Sequence, residues 1–95
     1  MKNILDYEII FDSKAEKYLK KLSKKDKKAT KIILDAIKRI PENSYDFDIL
    51  KGYWASSRKL RKGDYRIIFD IDNNTNPKEI IILKIGKRKN IYKRL

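Results

Sequence analysis

The chain has 95 residues, 41% of them hydrophobic, and 25 Lys+Arg against 13 Asp+Glu give a formal net charge of +12. That length supports one small core, because the fraction of surface a chain can bury rises with its size, so 1–95 reads as a single domain. With no Cys and no His, a disulfide frame, a thiol nucleophile, a thiolate zinc site and the usual general base are all excluded. No metal or other cofactor is expected.

The first predicted element is a short strand, "YEIIF" at 7–11. It runs into "DSKAEKYLKKL", where Ser13 and Glu16 have the spacing of a capping box and Ala15, Tyr18, Leu19 and Leu22 follow at helical intervals. Ser23 and Asp26 stand in the same relation and open a second helix, whose apolar face is Ala29, Ile32, Ile33, Ala36, Ile37 and Ile40 and which Pro41 ends. So short a junction predicts an antiparallel helical hairpin with both apolar stripes turned toward one sheet. The Lys-rich outer side, "KKLSKKDKKATK", reads as a solvated helix face.

After a polar linker, "PENSYDFD", come strands at about 52–61, 64–72 and 79–85, with a hairpin turn at "KGD" and a turn cluster at "NNTNPK". Alternation sends Tyr65, Ile67, Phe69 and Ile71 to the helices and Arg66, Ile68, Asp70 and Asp72 to the other face. The strand at 79–85 is apolar on both faces and reads as central. "DIDNN" at 70–74 superficially resembles part of a calcium loop but lacks its Gly and distal Glu, and reads as a turn. The order is strand, helix, helix, then a three-stranded meander: an α+β fold with a mainly antiparallel sheet.

A field of +12 recruits polyanions, whether nucleic acid, an anionic membrane or an acidic protein. Lysine alone is a weak signal, since a chain rich in Lys and Ile (16 residues) and free of Cys also fits a heat-adapted protein. Arginine says more. Five of the six, Arg58, Arg61, Arg66, Arg88 and Arg94, lie in the C-terminal half, and the guanidinium fork matches phosphate geometry. No apolar stretch reaches the roughly 18 residues of a membrane span, and "MKNILDYEII" has no signal-peptide core. A cytoplasmic protein with no membrane partner is expected.

If Leu60 faces the helices, Lys59 and Arg61 face away from them, on the side of Arg66, while Lys87, Arg88 and Tyr92 emerge beyond Gly86. Tyr53, Trp54 and Tyr92 add aromatics near these cations, a combination suited to splayed RNA bases and their phosphates. RNA carries its own nucleophile, the 2′-hydroxyl, so a lysine of lowered pKa could act as base and arginines could stabilise the phosphorane. The plainer reading of the same residues is a basic sheet face that binds an acidic partner.

With "LKG" at 50–52, "RKLRKGDYRIIFDI" at 58–71 and "ILKIGKRKNIY" at 82–92, the sequence closely resembles the RelE branch of the RelE/ParE toxin superfamily over nearly its whole length. The resemblance implies a microbial-RNase-like fold and a type II toxin that cleaves mRNA in the ribosomal A site by metal-independent 2′-hydroxyl attack. Position by position, Lys59, Arg61 and Arg66 match the RelE basic cluster, Arg88 the arginine that assists the leaving group, and Tyr92 the tyrosine that stacks on mRNA. Lys51, Arg58, Lys62, Lys84, Lys87 and Lys89 are assigned to RNA and ribosome binding. The position two before Lys59, often lysine in bacterial RelE, is Ser57, which leaves Arg58 or Lys59 to supply the charge and the base unassigned. A ParE-like inhibitor that binds DNA gyrase without cleaving RNA is the alternative. Either way the implied partners include an acidic RelB-type antitoxin that masks the basic face, and for the nuclease the ribosome and mRNA.

Overall fold

Asp12 turns the chain from strand to helix. β1 spans Tyr7–Phe11 and α1 spans Ser13–Lys25. Between them the Asp12 carboxylate accepts from the Lys14 N–H (3.3 Å) and its carbonyl from the Glu16 N–H (2.9 Å). The cap therefore lies one residue before the expected Ser13, because Asp12 still has the extended backbone of the strand (φ −62°, ψ 153°) that a capping residue needs.

Asp26 alone separates the helices. Its N–H closes α1 on the Leu22 carbonyl (2.7 Å), and its carboxylate accepts from the Ala29 N–H (3.0 Å) to open α2, Lys27–Lys38. Ser23 was expected to start this helix; it lies instead inside α1, its hydroxyl donating to the Lys20 carbonyl (2.7 Å). The buried stripe of α2 runs through Thr30, Ile33 and Ile37 and continues to Ile40 in a 3-10 turn, Ile40–Glu42. Thr30 can join it because its hydroxyl donates to the Asp26 carbonyl (3.0 Å). Ile32, expected in the stripe, is turned out and 41% exposed.

The computed structural model describes residues 7–42, 48–49 and 57–89. Their strands form one five-stranded sheet in the order β1-β5-β4-β3-β2, with β2 at Asp48–Ile49, β3 at Arg58–Lys62, β4 at Tyr65–Asp72 and β5 at Lys78–Lys87. β1 lies parallel to β5 and every other pair is antiparallel. The result is the expected α+β architecture with β5 inside the sheet. β2, a two-residue edge beginning in the "PENSYDFD" stretch, was not foreseen, and residues 52–56 of the expected strand lie outside the described residues.

β3 and β4 are joined by two residues, Gly63 and Asp64, and Gly63 takes φ +57°, a conformation glycine adopts without steric cost. Past β4 the Asp72 carboxylate accepts from the Asn74 N–H (2.9 Å), the Asx turn that "DIDNN" suggested. The core lies between helices and sheet: Tyr7, Ala15, Ile33, Ile37, Ile40, Ile67, Phe69, Ile80, Ile82 and Ile85 are buried there, with Leu60, Tyr65 and Ile71 packed against them. Among the described residues no helix is long and apolar enough to cross a membrane.

Candidate nucleic-acid interface

Residues directly opposite in an antiparallel pair share a face, so the registers of β3, β4 and β5 fix which cations meet. Leu60 pairs with Ile67, and Ile67 with Ile85, all on the helix side. The neighbouring rows therefore fall on the other face. One is Arg61, Arg66, Gly86; the next is Lys59, Ile68, Lys84. Ile68 is fully buried although it is not part of the helix-side core, so the second row has two lysines on either side of an apolar floor.

Lys84 reaches that row through an irregularity. Phe69 pairs with Ile82 and Ile68 with Lys84, so Leu83 is an extra residue in β5. Strict alternation from Ile80 and Ile82 would turn Lys84 toward the helices; the bulge sends Ile85 there instead. Burial lowers the Lys84 pKa below the ordinary lysine value, and the positive charge of Lys14 on α1 lowers it further.

The arginines are tied to the β3–β4 turn. The Arg66 guanidinium donates to the Gly63 carbonyl (2.7 Å) and to its neighbour Tyr65 (2.8 Å). The Arg88 N–H donates to the Asp64 carbonyl (2.8 Å), anchoring the turn after β5 to the same hairpin. Asp64, Lys87, Arg88 and Lys89 line an open depression of about 610 Å³ there. Ser57 is 5% exposed and its hydroxyl donates to an Asp70 carboxylate oxygen (2.7 Å).

The structure thus brings Lys59, Arg61, Arg66 and Lys84 onto one face and sets Arg88 and Lys89 in the turn at its end. Other basic residues expected to bind RNA are placed elsewhere. Arg58 pairs with Phe69, and Lys62, Tyr65 and Lys87 form one row, both on the helix side. Lys87 there borders a groove of about 450 Å³ with Tyr18, Lys21, Lys25 and Tyr65. Burial, and secondarily Tyr65, raises the Tyr18 pKa. Lys51, Tyr53, Trp54 and Tyr92 lie outside the described residues. Sequence reasoning put Lys84 among the binding residues without placing it in this row; the available signal was the break of period two in the apolar positions 80, 82 and 85.

Residues 9–92 match the family described as the ParE toxin of the type II toxin–antitoxin system parDE. The chain is 30% identical over 89 residues to a protein of Methanocaldococcus jannaschii that carries the name toxin RelE4, with 93% of each chain covered. Its fold is similar to that in the toxin–antitoxin complex RelBE2 from Mycobacterium tuberculosis, with a TM-score of 0.72, 21% identity, and 86% of this chain and 98% of that one covered. It is also similar to the YoeB–YefM toxin–antitoxin complex from Staphylococcus aureus, with a TM-score of 0.68, 24% identity, and coverage of 86% and 97%. YafQ from Escherichia coli gives a TM-score of 0.69, 16% identity, and coverage of 92% and 99%.

Proposed function

Because this chain belongs to the RelE/ParE superfamily of type II toxin–antitoxin toxins, we propose that it is a ribosome-dependent endoribonuclease that cuts mRNA in the A site and is neutralised by a RelB-type antitoxin. The observation that carries the reading is the pair of rows Arg61–Arg66–Gly86 and Lys59–Ile68–Lys84 on the face away from the helices, with Arg88 held at their end by Asp64.

A site without His or Cys must draw its rate from positioning and charge. The ribosome supplies the positioning by holding the message in one geometry. Fixed cations supply the charge, stabilising the phosphorane formed when the 2′-hydroxyl attacks the adjacent phosphate. Lys59, Arg61 and Arg66 take that part; Arg88 meets the departing 5′ oxygen, and Tyr92 stacks on a base. The antitoxin is an acidic segment that covers the same rows, its charge opposed to the +12 of the toxin. The relatives solved as RelBE2 and YoeB–YefM complexes support such a partner. A cytoplasmic site of action follows from the substrate.

The test is induction of the wild-type chain and of Arg66→Ala/Arg88→Ala in a cell-free translation system, with 5′ ends of the message mapped by primer extension. Cuts inside codons on ribosome-bound message, lost in the variant, are expected. Intact message together with inhibited DNA gyrase would replace this reading with the binding inhibitor.

A further inference from the structure

A cleavage that starts from a 2′-hydroxyl needs a group to take its proton, and the outer face limits the choice. The guanidinium accepts no proton in proteins, which leaves Arg61 and Arg66 with the electrostatic part. Ser57 has its hydroxyl committed to Asp70 and is almost wholly buried. Among the described residues, the lysines of the face are Lys59 and Lys84, on either side of Ile68. With strands about 4.8 Å apart, their Cα atoms stand about 10 Å from each other, and their long stems can approach one phosphodiester from both sides.

We propose that Lys84 is the general base of this cleavage, with Lys59 as the cation that faces it across Ile68; the assignment rests on the endoribonuclease reading above. The neutral Lys84 amine takes the 2′-hydroxyl proton while the 2′ oxygen bonds to phosphorus. The P–O5′ bond breaks, and the 5′ oxygen leaves with a proton from a general acid or water. The products are a 2′,3′-cyclic phosphate and a 5′-hydroxyl, with no redox change and no metal in the balance.

The surroundings fit the neutral amine. The fully buried Ile68 gives one side of Lys84 an apolar wall, and a desolvated ammonium is disfavoured. The charged groups around it are Lys14 and the capping Asp12 at the start of α1, Arg66 and Asp70 on β4 either side of Ile68, and Lys59 beyond on β3. The bulge at Leu83 is what turns the amine to the face that holds the arginines.

The experiment is single-turnover cleavage on mRNA-programmed ribosomes from pH 6 to 10, with wild type, Lys84→Arg and Lys84→Ala, beside binding of each to ribosomes whose A-site codon carries 2′-O-methyl groups. Lys84→Arg carries a long side chain that stays protonated throughout this range and cannot act as base; its rate is expected to fall about 100- to 10,000-fold with binding changed less than about threefold. The wild-type rate should climb with pH and level off, Lys84→Arg should lose that limb, and added ethylamine should restore part of the Lys84→Ala rate. A Lys84→Arg chain that cleaves within about threefold of wild type and keeps the pH limb overturns the assignment while leaving the endoribonuclease standing. A loss of rate matched by loss of binding also overturns it, making Lys84 a binding group. A wild-type chain that leaves the message whole removes both readings.

Discussion

Lys84 of β5 stands directly across from Ile68 of β4, whereas the next residue of β4, Phe69, stands across from Ile82, so Leu83 has no residue opposite it. That offset decides which of the neighbouring apolar residues hold the fold together. Ile82 is fully buried in the helix-side core and Leu83 is not part of it. Ile82→Ala should cost about 2–5 kcal/mol, as deletion of a buried aliphatic side chain does, and Leu83→Ala less than half as much. Urea unfolding of both variants measures it; equal losses would place Leu83 in the core and remove the bulge.

The turn that anchors Arg66 and Arg88 depends on Gly63. An added Cβ there would meet nothing within 4 Å, so the whole cost of Gly63→Ala comes from its φ of +57°. A loss of about 1 kcal/mol is expected, and a smaller one for Gly63→Asn, since Asn tolerates this region. Thermal unfolding compares the two; a neutral Gly63→Ala would mean that the turn is not held in this conformation.

Asp26 closes one helix with its N–H and opens the next with its carboxylate. Asp26→Ala keeps the first bond and loses the second. The expected cost is about 1 kcal/mol, with Asp26→Asn retaining most of the stability, and denaturant midpoints check the order. An alanine variant as stable as wild type would show that the helical hairpin stands on packing alone.

Lys84 gives stability a pH dependence of defined sign. Its folded pKa lies below the ordinary 10.5, so between the folded value and 10.5 the unfolded chain binds more protons and stability rises with pH. The penalty of the disfavoured ammonium is fully present below the folded pKa and vanishes above 10.5. Lys84→Met should therefore be more stable than wild type at pH 7, with the gap closing toward pH 10.5. Urea midpoints at the two pH values decide it; a gap that does not change with pH would mean that the ammonium is not disfavoured.

Strong local patterns were legible without a structure. Alternation in "YRIIFDI" named the helix-side residues of β4, Leu60 fell on the same side, and both helices carry their apolar stripes as expected except at Ile32. Cap positions were each displaced to an aspartate, Asp12 and Asp26, because a cap is chosen by where the backbone stops being extended, and several Ser and Asp residues near each junction satisfy the same sequence pattern. β2 escaped notice because two residues carry no periodicity.

The sequence alone determined the fold class and the identity of most cations on the outer face, which follow from period-two alternation and helical spacing, and it pointed to the family through the resemblance carried by "RKLRKGDYRIIFDI" and "ILKIGKRKNIY". Only the tertiary structure decided that β1 joins β5 in parallel, that Lys62 and Lys87 lie on the helix side, and that Lys84 enters the outer face, whereas alternation had already set Arg58 on the side of Leu60. The reason is that a bulge and a strand register are properties of a pair of strands. Each depends on which residue of β4 lies opposite which residue of β5, and a shift of one position there reverses every face that follows.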